Sequence, residues 1–190
     1  CATGEELYSL AILLVEGGLS SRARIYATDL SAAALDTARA GIYPLEILAQ
    51  GGRNYFEFGG SYSLAHYYLA GREAGVMDAR LRQNITFARH NLAMDKSFGE
   101  MQAVICRNVL IYLEPGLQKK VLSTFHCALR PDGFLFLGAS ESIGPFTHLF
   151  EPVDKQQKIY ARMAGPVPAF HLPVKKRRDE PPRTEPTSRV

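Results

Sequence analysis

The order of strand-like and helix-like segments predicts a doubly wound α/β fold with a mostly parallel sheet. Two pairings carry that reading. The β-rich "RIYATD" runs directly into "SAAALDTARAG", and "QAVICRNVLIYL" is followed by the helical "PGLQKKVLSTFHCAL" and then "FLFLG". A third observation is bulk: 190 residues, 46% hydrophobic and 22% charged, suffice for one domain with its own core.

Taken in order, Thr3 and Glu6 form a T-x-x-E capping box ahead of Leu7, Leu10, Ile12, Leu13 and Leu14. This predicts a helix from near Glu5 to Gly17-Gly18. A short buried strand then ends at Asp29, Ser31 caps the next helix and Gly41 stops it. From Ile42 to Arg80 the chain is rich in Gly and Tyr, with no sustained period of 2 or 3.6, and reads as an insertion. "QNITFARHNL" and "QAVICRNVLIYL" are further strands. Pro115 opens a helix with Leu117, Val121, Phe125 and Leu129 on one face. "PDG" turns the chain into "FLFLG", and "QKIYARM" is the last strand.

Charge and cysteine usage exclude several classes. Of the eleven prolines, more than half lie beyond Gly165, with few apolar residues among them. Residues 165–190 are therefore expected to form a disordered or extended basic linker after a domain over 1–164, with a possible further domain beyond. The net charge of +3 resides in that tail, because basic and acidic residues balance up to Ala164. The "KKRR" cluster reads as linker charge, and nucleic acid is not an expected partner. Cys1, Cys106 and Cys127 lack CxxC spacing, and no histidine pair has metal-ligand spacing, so no metal is expected. His90 and His126 read as structural. The run "LYSLAILLV" is too short to span a bilayer. A reducing, cytoplasmic setting without membrane insertion follows.

Ligands of doubly wound sheets sit beyond the carboxyl ends of the strands. The "CATGEE" turn, Asp29, Asn91-Leu92 and Arg107-Asn108 all fall there. An acid at the end of the second strand can accept hydrogen bonds from both ribose hydroxyls of an adenosine, in NAD or S-adenosylmethionine alike. The first turn separates the two. A pyrophosphate needs a glycine fingerprint, whereas this turn offers Gly4 followed by Glu5 and Glu6. Carboxylates favour the sulfonium and ammonium of S-adenosylmethionine by Coulomb attraction. Each residue also has a plainer role: Asp29 as a turn or N-cap acid, Glu6 as capping-box partner, Glu5 as a first-turn acid.

The phrases "CATGEELYSLA", "ATDLSAAALDTARAGIY", "ITFARHNL", "VICRNVLIYL" and "LRPDGFLFLGASES", in this order, resemble the CheR family of chemotaxis-receptor methyltransferases. The resemblance covers Cys1 to about Met163. It implies a class I S-adenosylmethionine-dependent methyltransferase fold, Rossmann-like, mostly parallel with an antiparallel last strand and a small β subdomain inserted at about 42–80. The implied activity is methyl transfer from S-adenosylmethionine to the γ-carboxylate of receptor glutamates, leaving S-adenosylhomocysteine; the implied partner is the cytoplasmic domain of a chemoreceptor. By motif, Glu6 and Asp29 hold the methionine and ribose parts. Asn91 and Leu92 flank the adenine, Arg107 and Asn108 complete the pocket, and Tyr112 lies near the transferring methyl, with Arg107 and Tyr112 as the catalytic candidates.

Structural alternatives stand beside these roles: a turn for Asn91, an ion pair for Arg107, a packed aromatic for Tyr112, a small buried residue for Cys106. Leu113 replaces the aromatic common after "IY" in the family. The family's first strand and the helical segment before it are expected to precede "CATGEE". A non-catalytic cofactor-sensing module and a methyltransferase for small molecules remain as rival functions; a nicotinamide oxidoreductase is disfavoured by the missing glycine fingerprint.

Overall fold

A computed structural model describes residues 1–165, so the proline-rich stretch from 166 on, with its "KKRR", lies outside the described residues. The chain divides into two compact units, one to Lys96 and one from Ser97.

In the first unit, helix α1 (Glu5–Glu16) is followed by strand β1 (Ile25–Asp29) and helix α2 (Ala32–Ala40). The Ser31 hydroxyl oxygen accepts the N–H of Ala34 at 3.2 Å, and Gly41 takes the left-handed conformation that closes α2, as the sequence predicts. Strand β5 (Ile85–Arg89) pairs parallel with β1, in register from Ile25↔Ile85 to Asp29↔Arg89.

Between them lies the inserted segment: β2 (Ile42–Pro44), helix α3 (Leu45–Glu57), β3 (Tyr68–Ala70) and β4 (Ala74–Met77). Its strands form an antiparallel sheet in the order β2-β4-β3. The helix is a correction to the aperiodic reading of this stretch. Gly51 and Gly52 in its middle lower helix propensity and mask the pattern. Leu45, Leu48 and Tyr55 nevertheless fall on one helical face, and they pack on the core built from Tyr8, Ala11, Ile12, Tyr43, Met77 and Leu81. The Glu16 carboxylate, where α1 ends, accepts the hydroxyls of Tyr55 and Tyr67, tying the insertion to α1.

The second unit comprises β6 (Met101–Cys106), α4 (Pro115–Ala128), β7 (Leu129–Leu137), β8 (Phe150–Asp154) and β9 (Ile159–Arg162), in the sheet order β6-β7-β9-β8. The β6–β7 pair is parallel, and β9 runs antiparallel to both its neighbours. The parallel pairing thus occurs in two separate pairs, β1–β5 as a two-stranded sheet and β6–β7 within a mixed one. Pro131-Asp132-Gly133 is not a turn before a strand. It lies inside β7, opposite a shift of register between Met101 and Ala103. A bulge accommodates the missing N–H of proline without ending the strand. Strand β8 has no counterpart in the sequence reading; Pro152 and its own register shift interrupt the alternation there. No helix among the described residues is long and apolar enough to cross a membrane.

His126 on α4 is fully buried, with its Nε2–H donated to the Met163 carbonyl at 2.9 Å and its ring edge-on to Phe150. Burial pushes its pKa below the usual histidine value, only partly opposed by the Met163 carbonyl, and the charges of Arg162 and His148 push the same way. A depressed folded-state pKa gives stability that is present above the unfolded value of about 6.5 and lost as pH falls through the folded value. Thermal unfolding between pH 7.5 and 5 is expected to show a falling midpoint, and His126→Gln is expected to flatten that slope.

Candidate functional site

In the first unit Asp29, Asn91 and Leu92 lie at the carboxyl end of the β1–β5 pair, with Ala2 against Asp29. The turn before α1 is closed by the Gly4 N–H to the Cys1 carbonyl at 3.0 Å, and Gly4 has φ +101°. A Cβ on Gly4 would lie 2.8 Å from the Tyr43 hydroxyl and 2.9 Å from the Ala38 Cβ. Tyr43 also donates its hydroxyl to the Thr3 carbonyl at 2.7 Å. The left-handed conformation and the close approach both demand glycine here.

The capping box is a correction. Gly4, not Thr3, is the N-cap, with no side chain capping the helix, so the T-x-x-E spacing is one residue out of phase. The Thr3 hydroxyl donates instead to the Glu5 carboxylate at 2.8 Å. Glu6 lies exposed in the first turn of α1.

Asp29 ends β1 and organises the turn beside it. Its Oδ2 accepts the N–H of Ala2 at 2.9 Å and its Oδ1 accepts the N–H of Ser31 at 2.9 Å. Burial disfavours its charge, but the N–H groups of Ser31 and Ala2 together with the Cys1 ammonium hold the carboxyl below the usual aspartate range. The Asp29 carbonyl accepts the N–H of His90 at 3.0 Å, which brings the end of β5 and Asn91 to the same end of the pair. Asn91 makes the turn expected of the plainer reading: its Oδ1 accepts the N–H of Ala93 at 3.0 Å, and its own N–H donates to Asp95 at 2.7 Å. Leu92 beside it is half-buried.

In the second unit the candidates follow the end of β6. The Arg107 guanidinium stacks over the Phe136 ring, 5.1 Å from its centroid. Asn108 is in the left-handed region with φ 56°. A one-turn 3-10 helix, Leu110–Tyr112, leaves Tyr112 81% exposed, so the packed-aromatic alternative for Tyr112 does not hold. Cys106 is buried at the end of β6.

Sequence reasoning missed one residue. Glu141, in the turn after β7, is 3% exposed and accepts the N–H groups of Asn108, Val109, Leu110 and Gly138. The only signal was an acid inside the quoted "ASES", close behind an apolar strand.

The donor chemistry suits a cationic nucleoside. The first turn of α1 carries the acids Glu5 and Glu6 rather than a glycine cradle for phosphate, and Asp29 stands part-exposed at the end of a parallel strand. Among the described residues no cluster of His, Cys, Asp and Glu could hold a metal ion.

A family model described as CheR methyltransferase, SAM binding domain, matches residues 1–159. The putative methyltransferase Cher3 of Pseudomonas putida is 46% identical over 164 residues, covering 85% of this chain and 60% of that protein. Chemotaxis protein methyltransferase 2 of Pseudomonas aeruginosa is 37% identical over 168 residues, covering 84% of this chain and 56% of that one. The chain thus spans little more than half the length of these relatives. The solved structure of PKMT2 from Rickettsia typhi aligns with 72% of this chain and 19% of its own, with a TM-score of 0.42 and 15% identity.

Gly4→Ala is expected to destabilise the protein by about 1–3 kcal/mol through backbone strain and overpacking against Ala38 and Tyr43. Chemical denaturation of the variant beside the unaltered protein measures it.

Proposed function

From the premise that the chain belongs to the CheR methyltransferase family and carries its SAM-binding domain, we propose that it transfers the methyl group of S-adenosylmethionine to the γ-carboxylate of glutamates in the cytoplasmic domain of chemoreceptors. The observation that carries this reading is Asp29: an acid at the carboxyl end of a parallel strand, held by the N–H groups of Ala2 and Ser31, with the turn at Ala2 leading into a helix that begins with Glu5 and Glu6. That arrangement supports recognition of a ribose and a cationic tail, and it lacks the backbone cradle a pyrophosphate needs.

In this reading Glu6 and Asp29 bind the methionine and ribose parts, and Asn91 and Leu92 flank the adenine. By motif, Arg107 and Asn108 of the second unit are cofactor contacts as well. The bound donor supplies an electrophilic methyl: an oxygen–carbon bond forms to the glutamate as the carbon–sulfur bond breaks, and its electron pair leaves on sulfur. A glutamate has an unperturbed pKa of about 4.3, so the acceptor is ionised at neutral pH and needs no general base. The protein's work is to position and partly desolvate that carboxylate. Arg107 and Tyr112 are the orienting donors. The Arg107 guanidinium stacks on Phe136, which holds its plane. The exposure of Tyr112 supports its contact with a macromolecular acceptor. A donor that bound the carboxylate tightly would lower its nucleophilicity, so one loose contact is expected.

The decisive test incubates the full-length protein with methyl-labelled S-adenosylmethionine and receptor membranes. Base-labile label on receptor protein is the expected result. Label on low-mass acceptors alone would make it a small-molecule methyltransferase, and cofactor binding without any transfer would make it a sensing module; either outcome overturns the proposal. Asp29→Ala is expected to weaken cofactor affinity about 10–100-fold by calorimetry, the worth of charge-assisted hydrogen bonds. Arg107→Ala is expected to slow transfer about 10-fold or more; unchanged affinity and rate would remove Arg107 from the site.

A further inference from the structure

The loop after β6 carries Arg107, Asn108 and Tyr112, yet packing does little to hold it. Ile111 and Tyr112 are 47% and 81% exposed, and Leu110 is its buried anchor. What shapes the loop is hydrogen bonding to its backbone. Glu141 Oε1 accepts the N–H of Val109 at 2.8 Å and of Leu110 at 2.7 Å. Its Oε2 accepts the N–H of Asn108 at 2.9 Å and of Gly138 at 2.7 Å. Four donors match the acceptor-only capacity of one carboxylate. On the other side of the loop, Gln118 Nε2 donates to the carbonyls of Leu110 and Leu113, each at 2.9 Å. The N–H groups are thus held from β7 and the carbonyls from α4.

Two further features show that the fit is tight. A Cβ on Gly138 would lie 2.8 Å from Glu141 Oε2 and 2.9 Å from the Asn108 nitrogen, so only glycine lets the turn after β7 come this near. Asn108 keeps its positive φ at the point where its N–H meets the carboxylate. A non-glycine residue in that region persists when its surroundings over-determine it.

We propose that Glu141 is a positioning residue for methyl transfer. It fixes the backbone path of Asn108, Val109 and Leu110 and thereby the directions of the Arg107, Asn108 and Tyr112 side chains. The inference rests on the methyltransferase reading above. It makes a specific chemical demand: both Glu141 oxygens must be acceptors. Glu141→Gln keeps the shape but turns an NH2 toward two of the four N–H groups. Glu141→Asp keeps both oxygens on a side chain one methylene shorter.

The test uses the full-length protein with receptor membranes and labelled S-adenosylmethionine, together with amide hydrogen exchange. For Glu141→Gln, kcat is expected to fall at least 10-fold, with Asn108, Val109 and Leu110 exchanging at least 10-fold faster and the β7 amides of Leu135 and Phe136 unchanged. Glu141→Asp is expected to fall between the two. Because Glu141 acts through the loop, its loss and that of Tyr112→Phe are expected to be less than multiplicative in the double variant. A kcat for Glu141→Gln within twofold of the unaltered protein would overturn the inference. So would multiplicative losses with exchange accelerated evenly along β6 and β7, or failure of both variants to fold, since either marks a purely structural carboxylate. An unaltered protein that transfers no label would remove the methyltransferase reading and the inference together, a result distinct from active protein with an indifferent Glu141.

Discussion

Where a chain leaves the carboxyl end of a parallel strand, its N–H groups lose their ladder partners and need other acceptors. Both units answer this need with a carboxylate. Asp29 takes the N–H groups of Ala2 and Ser31, and Glu141 takes those of Asn108, Val109, Leu110 and Gly138. The two acids differ in what they leave over. Asp29 is part-exposed with two backbone N–H partners, so it can organise its turn and still face a ligand. Glu141 is buried and its acceptor capacity is spent on the loop it shapes.

Glycine does the complementary work. Gly4 and Gly138 each stand where a side chain would collide with a neighbouring segment, the first with Ala38 and Tyr43, the second with Asn108 and Glu141. Close backbone approach and carboxylate capping together place loops that have few apolar residues to pack. The inserted segment is joined to its unit differently, through a shared core with α1 and through two tyrosine hydroxyls on Glu16. Burial of Tyr67 and, after it, the hydrogen bond to Glu16 raise its phenol pKa.

The regular elements were legible because their signals are local. Ser31 and Gly41 bracket α2 as a cap and a left-handed stop should, and Pro115 opens α4. The readings that failed were those in which a local pattern met a tertiary constraint. The T-x-x-E box gave way because Gly4 packs against Ala38 and takes the N-cap position itself. "PDG" reads as a turn, yet pairing with β6 holds it in a bulged strand. The helix α3 was hidden by its two central glycines, and its core contacts stabilise what propensity does not. Among site residues, Asn91 serves its own turn, and Tyr112 is exposed rather than packed.

By itself the sequence determined the fold class, the family, the strand ends at which ligand chemistry gathers and the preference for a cationic nucleoside over a pyrophosphate. The family follows from the resemblance of whole phrases of sequence, and the rest from periodicity, capping residues and charge within a few positions of one another. Only the tertiary structure decided which acid holds which loop. Glu141 lies more than thirty residues beyond Asn108, Val109 and Leu110, whose N–H groups it accepts, and no local spacing encodes a contact that exists only once β6 and β7 have paired. Hydrogen bonds are directional and short, so their partners are settled by the packing of strands and not by the order of residues.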